Sequence, residues 1–172
     1  MSFEDKEDAV KRIDAFDKVT GKAKFPADFY YPDQLVMKVL FSEKVHAIIQ
    51  SVDITEASKQ PGVVAILTSK DVPNNEYGLG KTDQPVLCGP TPGKEYANRV
   101  RCLSDKVALV IAESEEIAEK ARQMIKVEYE ELPIVDNVDL AFTATDNFVH
   151  PDIGSNVFCH YKIRKGDVDA AF

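Results

Sequence analysis

The stretch KVALVIAESEEIAEKARQMIKVEYEEL, residues 106–132, reads as a strand, a helix and a second strand in succession. Residues 106–112 are an almost unbroken apolar run, the pattern of a strand covered on both faces. Ser114 can cap the helix that follows. Its apolar residues Ile117, Ala118, Ala121, Met124 and Ile125 fall on one stripe. Glu115 and Glu116 sit at the positive end of its dipole, and Arg122 and Lys126 near the negative end. In residues 126–132, Val127 and Tyr129 alternate with Glu128 and Glu130, as in a half-exposed strand. The expected core therefore includes Val107, Leu109, Ile111, Ile117, Ala121 and Ile125.

The same order of elements occurs upstream. VHAIIQSV (45–52) is rich in β-formers. Asp53 can cap a short helix over ITEASKQ, with Glu56 three residues on as in a capping box. Pro61-Gly62 ends that helix, and VVAILT (63–68) is the returning strand. QLVMKVLFS (34–42) supplies another strand. The fold expected is α+β, a mixed sheet built on two strand–helix–strand units. Between the units, residues 73–99 form a long loop rich in Gly and Pro; loops of that length are usually functional or pinned by a neighbour. The expected organisation is a charge-rich arm over 1–17, with scattered apolar residues Val10, Ile13 and Phe16. A core over 18–133 follows, and then an arm over 134–172 that is irregular except for a strand-like VFCHYKI (157–163). The two arms and the loop are expected to face a partner, because 134–172 carries more apolar surface than a free tail should show to water.

Composition narrows the function. With 172 residues the chain fits one domain or one domain with an arm. A net charge of −8 argues against a nucleic-acid surface, gives no support to an anionic membrane, and favours solubility. Three cysteines (Cys88, Cys102 and Cys159) stand too far apart for a CxxC pair, so reduced thiols and a cytoplasmic location are expected. The N-terminus has no apolar stretch of the signal-peptide kind.

A search for catalytic machinery yields little. There is no GxSxG elbow, no P-loop and no HExxH. The GLG at 78–80 lacks a third glycine and a strand–helix setting. His46 lies among apolar neighbours and reads as a structural histidine. His150, Cys159 and His160 could gather round a metal, but adjacent residues of a strand point to opposite faces. Glu128, Glu130 and Glu131 read as a solvated strand face. Cys88 has no evident base or cation nearby in sequence. The expectation is a chain with no catalytic, cofactor-binding or metal-binding residues of its own.

The order of short motifs adds a resemblance. DKVTGKAKFPADF (17–29) resembles the opening of the molybdenum-cofactor subunit of xanthine dehydrogenases and aldehyde oxidases, where K-x-T-G-x-A-x-[YF]-x-x-D recurs; Lys18, Thr20, Gly21, Ala23, Phe25 and Asp28 stand in those places. Residues 40–75 resemble the next stretch, through Ser42, His46, Ala47, Ile49, Asp53, Pro61, Gly62, Val63, Asp71, Val72 and Pro73. DQPVL (83–87) is similar to the loop segment after it. Residues 100–135 are similar to V-R-x-x-G-E-P-V-A-x-V-x-A followed by A-x-x-A-x-x-x-I-x-V-x-Y-E-x-L-P. Ser104-Asp105-Lys106 departs from the commoner Gly-Glu-Pro, at what should be the mouth of a hairpin. KGDVDAAF (165–172) resembles the G-D-V-D-x-A-F that leads onward into the cofactor-binding part.

The resemblance implies an α/β hammerhead domain at the N-terminus of a large subunit, with the arm over 134–172 leading to cofactor-binding domains that lie outside these 172 residues. It implies a parent oxidoreductase that hydroxylates an N-heterocycle or aldehyde with oxygen from water. That parent uses a molybdenum–pterin cofactor, 2Fe-2S clusters and in some members FAD. The isolated chain is then expected to be inactive and to bind none of these. Its role would be to pack the iron–sulfur partner against the cofactor domains. Two other readings stay open: a free-standing small-molecule-binding or regulatory module, and a small thiol or metal hydrolase using Cys88 or the region of His150 and His160.

Overall fold

The computed structural model describes residues 12–172, so Val10 and most of the expected N-terminal arm lie outside the described residues. The chain divides into a unit ending at Gln34 and a unit beginning at Leu35. In the first unit, helix α1 (Ala15–Val19) has five residues and buries none of them. Thr20 Oγ1 donates to Phe16 O at 2.7 Å near its end. A 3-10 helix follows over Pro26–Asp28, where Asp28 Oδ2 accepts from the Phe25 backbone N–H at 2.9 Å.

The second unit contains six strands: β1 (Val36–Phe41), β2 (Ala47–Asp53), β3 (Val63–Leu67), β4 (Arg99–Val100), β5 (Lys106–Ala112) and β6 (Lys126–Glu131). Helix α2 (Glu115–Met124) joins β5 to β6. The α+β class agrees with the sequence reading, as do strands β1, β2, β3, β5 and β6; β4 was not expected. The sheet arrangement differs from the mixed sheet expected: there are two separate antiparallel sheets, ordered β1-β5-β3 and β4-β2-β6. Odd-numbered strands build one and even-numbered strands the other, so every connection carries the chain across to the opposite sheet. Each strand–helix–strand unit therefore bridges two sheets. For the first unit the physical reason is its short connector: a parallel crossover within one sheet needs a dozen or more residues, and only the three-residue 3-10 helix Ala57–Lys59 with its flanking turns separates β2 from β3.

That 3-10 helix stands where a capped α-helix was expected. Asp53 Oδ1 accepts from the Thr55 backbone N–H at 2.9 Å, an Asx-turn, and Glu56 is engaged by Lys59 Nζ at 2.7 Å. Gly62 then turns the chain with φ +83°, and a Cβ there would lie 2.6 Å from Ile117 Cδ1. The positive φ is what favours glycine here; the Ile117 methyl would also have to shift to admit a side chain.

Helix α2 follows the sequence reading closely. Ser114 Oγ accepts from the Ile117 backbone N–H at 3.3 Å, and Ala118 and Ala121 are fully buried. They share a core with Ala108, Val110 and Ala112 of β5, also fully buried, and with Leu40 of β1. Alanine facing alanine lets helix and sheet approach closely. Ile125 is already extended and leads straight into β6. Leu109 and Ile111 differ from expectation: they are only half-buried. An antiparallel three-stranded sheet with one helix has one covered face, and these two side chains point to the other.

The 73–99 loop rests on its own unit. Asn75 is 1% exposed; its Nδ2 donates to Leu87 O at 2.8 Å and its Oδ1 accepts from Leu87 N at 2.9 Å. Leu87 and Cys88 are buried with it. The C-terminal arm holds helix α3 (Val138–Thr143), whose cap Asn137 accepts from Leu140 N at 3.0 Å, and helix α4 (Val168–Ala171), capped by Asp167 accepting from Ala170 N at 3.0 Å. Residues 157–163 form no strand and are exposed; among the described residues no sheet edge receives them.

Candidate packing surface

His46 is a structural tie. It is 5% exposed, its Nδ1 lies 2.6 Å from Pro133 O, and Arg99 Nη1 lies 3.0 Å from its Nε2. These contacts fit the tautomer with the proton on Nδ1: Pro133 O accepts it, and Nε2 accepts from the guanidinium. The ring thereby joins the start of β2, the end of β6 and β4.

The remaining candidate residues do not converge. Cys88 is 1% exposed and burial pushes its thiol up to about 12, so it is no nucleophile at neutral pH. Glu128, Glu130 and Glu131 are engaged by Ser51, Gln50 and Lys44 on the solvent side. His150 is half-buried, and burial, with Arg101 nearby, lowers its pKa; Cys159 and His160 are exposed. Gly78 belongs to a tight turn, where an added Cβ would strike Lys81 O, and Leu79 beside it is fully exposed. Among the described residues, no three His, Cys, Asp or Glu side chains are placed to hold a metal ion. A 2Fe-2S cluster takes four cysteine thiolates, and this chain has three cysteines, one buried and two exposed. The residues present do not fit such a cluster. A recess of about 200 Å³ lies beside Glu76, Asp83, Tyr96 and Arg101. It is smaller than the roughly 300–1,000 Å³ of typical small-molecule sites.

The sequence departure at 104–106 is not at the hairpin mouth expected: the turn joins β4 to β5, which belong to different sheets. Asp105 Oδ2 accepts from the backbone N–H of Arg101 at 2.6 Å and of Cys102 at 3.3 Å, closing the turn before β5. Sequence reasoning missed what precedes it. Arg99, in β4, and Arg101, just past its end, lie close together, with Arg101 Nη1 donating to Arg99 O at 3.1 Å, and the Nε of each is buried without a partner among the described residues. Arg99's pKa is lowered by burial and then by Arg101. The available signal was two arginines flanking a fully buried valine in the segment RVR.

The largest unsatisfied feature is apolar. On the side of β1-β5-β3 away from α2, Met37 pairs with Ile111 and Val39 with Leu109. Met37 is 56% and Phe41 44% exposed. The C-terminal arm adds exposed Leu140, Phe142, Phe158 and Ile163. The paired apolar residues of the sheet face make a continuous patch, and such patches mark interaction sites.

Comparison with known proteins places the fold. The family model for the aldehyde oxidase and xanthine dehydrogenase a/b hammerhead domain matches residues 20–133. The chain belongs to the aldehyde oxidase and xanthine dehydrogenase family. Among the relatives of this hammerhead domain, a probable xanthine dehydrogenase subunit of Bacillus subtilis (strain 168) is 41% identical over 94% of the chain and 20% of its own length. The nicotinate dehydrogenase large molybdopterin subunit of Eubacterium barkeri is 33% identical over 94% of the chain and 36% of its length. Among solved structures, the aldehyde oxidoreductase of Desulfovibrio desulfuricans matches with TM-score 0.70 and 28% identity, over 84% of this chain and 16% of that one. The hammerhead chain thus spans a small part of the proteins it matches. Among the described residues no helix is long and apolar enough to cross a membrane.

Proposed function

We propose that this chain is the non-catalytic hammerhead domain of a molybdenum-containing hydroxylase, located in the cytoplasm. It packs an iron–sulfur domain or subunit against the domains that hold the molybdenum–pterin cofactor. The assembled enzyme hydroxylates an N-heterocycle or an aldehyde with oxygen from water and passes electrons to 2Fe-2S clusters, and in some arrangements to FAD. No residue of this chain takes part in the chemistry. Residues 18–133 are the packing core, and 134–172 is an arm directed at the cofactor-binding domains. The observation that carries this reading is the open apolar face of β1-β5-β3 on a domain whose family is that of xanthine and aldehyde oxidoreductases. A face of that kind, on a unit with no convergent catalytic set, is built for contact.

The test is purification through a tag on this protein from its source cells. The expected result is co-purification with polypeptide that carries molybdenum and iron, with oxidation of a purine or aldehyde by the assembly. Recovery of the tagged chain alone, free of both metals, would overturn the reading.

A further inference from the structure

A groove borders β4 on the sheet face opposite Val100. Ile48, Pro90 and Tyr96 give it apolar walls, and Lys70, Lys94 and Arg99 line it with cations. Glu95 is the one carboxylate among its lining residues, and its charge beside the Tyr96 phenol raises that group's pKa. Lys94 reaches Glu76 at 2.9 Å. Among the described residues, neither Lys70 nor Arg99 has a carboxylate within ion-pair reach. Arg99 spends one N–H on neutral His46 and leaves its buried Nε–H unanswered. A partly buried guanidinium without an anion is costly, because desolvation is not offset by a partner. In a chain of net charge −8, two cations on one groove, Lys70 and Arg99, without a carboxylate partner are a specific departure from the rest of the surface.

We propose that this groove receives an acidic segment of an adjoining polypeptide: an Asp or Glu side chain between Arg99 and Lys70, with an apolar neighbour on the Ile48–Pro90–Tyr96 wall. Carboxylate is the complement of an arginine fork, which binds it through charge-assisted hydrogen bonds. A free carboxylate fits less well, because small-molecule sites enclose most of their ligand and this groove is open along one side. The inference rests on the reading that the domain packs against neighbouring ones, and it assigns the polar contact of that packing, separate from the apolar sheet face.

The test places a photoreactive benzoylphenylalanine at Pro92, which lines the groove, or at Met37, on the sheet face, in the assembly purified from source cells. The Pro92 probe is expected to attach to a peptide from outside these 172 residues, next to an Asp or Glu. Lys70→Gln should lower that yield severalfold and leave the Met37 yield unchanged. Attachment to a segment without a neighbouring carboxylate overturns the proposal. So does attachment to a second copy of this chain, or a yield indifferent to Lys70→Gln. A reactive Met37 probe with a silent Pro92 probe overturns it while leaving the packing role intact. Silence at both positions removes the packing role as well.

Discussion

Two buried side chains test the interior directly. Asn75 satisfies both backbone groups of Leu87 from a position 1% exposed. Asn75→Ala removes both partners and leaves buried polar groups unpaired, at a cost of about 2 kcal/mol or more. A thermal melt should show the midpoint falling by several degrees; an unchanged midpoint would mean the loop is held elsewhere. Cys88 makes a pH prediction. Its thiol rises from 9.0 to about 12 on burial, so the folded state holds the proton more tightly than the unfolded state. The sign follows from linkage: the contribution is fully present below pH 9 and is lost as pH rises toward 12. A Cys88→Ala variant should lose less stability over that window than the parent. At pH 8, iodoacetamide should label Cys102 and Cys159, and Cys88 only after denaturation.

At the scale of elements, α2 and its two flanking strands were legible because their signals are local. Ser114, the glutamates behind it and the stripe through Ala118 and Ala121 all lie within one short stretch, and the structure uses each of them. Ala121→Asp would place an unpaired charge at a fully buried position against β5, with an expected cost of several kcal/mol. Loss of the cooperative melt is predicted, and a near-parental midpoint would remove α2 from the core. The partition into two sheets was not legible, since strand pairing joins residues distant in sequence, such as Val36 with Ala112 and Asp53 with Lys126. The half-burial of Leu109 and Ile111 followed from the same gap: an apolar run states that a strand is hydrophobic, not how many of its faces are covered. The arginine pair escaped notice for a related reason. Arginines are usually exposed, and the enclosure of Arg99 and Arg101 depends on contacts to the Tyr96 carbonyl and ring, in a turn where Tyr96 has φ +63°. Nothing in the local sequence marks a tyrosine for that backbone conformation.

For the whole molecule, the proposed function assigns the two faces of one sheet different tasks. One face of β1-β5-β3 is closed by α2 and folds the unit; the other is left for a neighbour. The isolated chain should carry far less than about one bound metal per molecule, since a stable site needs a converged ligand set. Metal analysis after dialysis against chelator checks this. The most direct test of the central claim is a double substitution on the open face, Met37→Glu with Ile111→Lys, made in the protein as its source cells assemble it. Size-exclusion chromatography with molybdenum analysis reads the outcome, and circular dichroism reads the fold. The double variant is expected to keep a folded domain, because these side chains lie outside the α2-covered core, and to be recovered with much less molybdenum than the parent. A folded variant that still co-elutes with molybdenum in parental amount would contradict it.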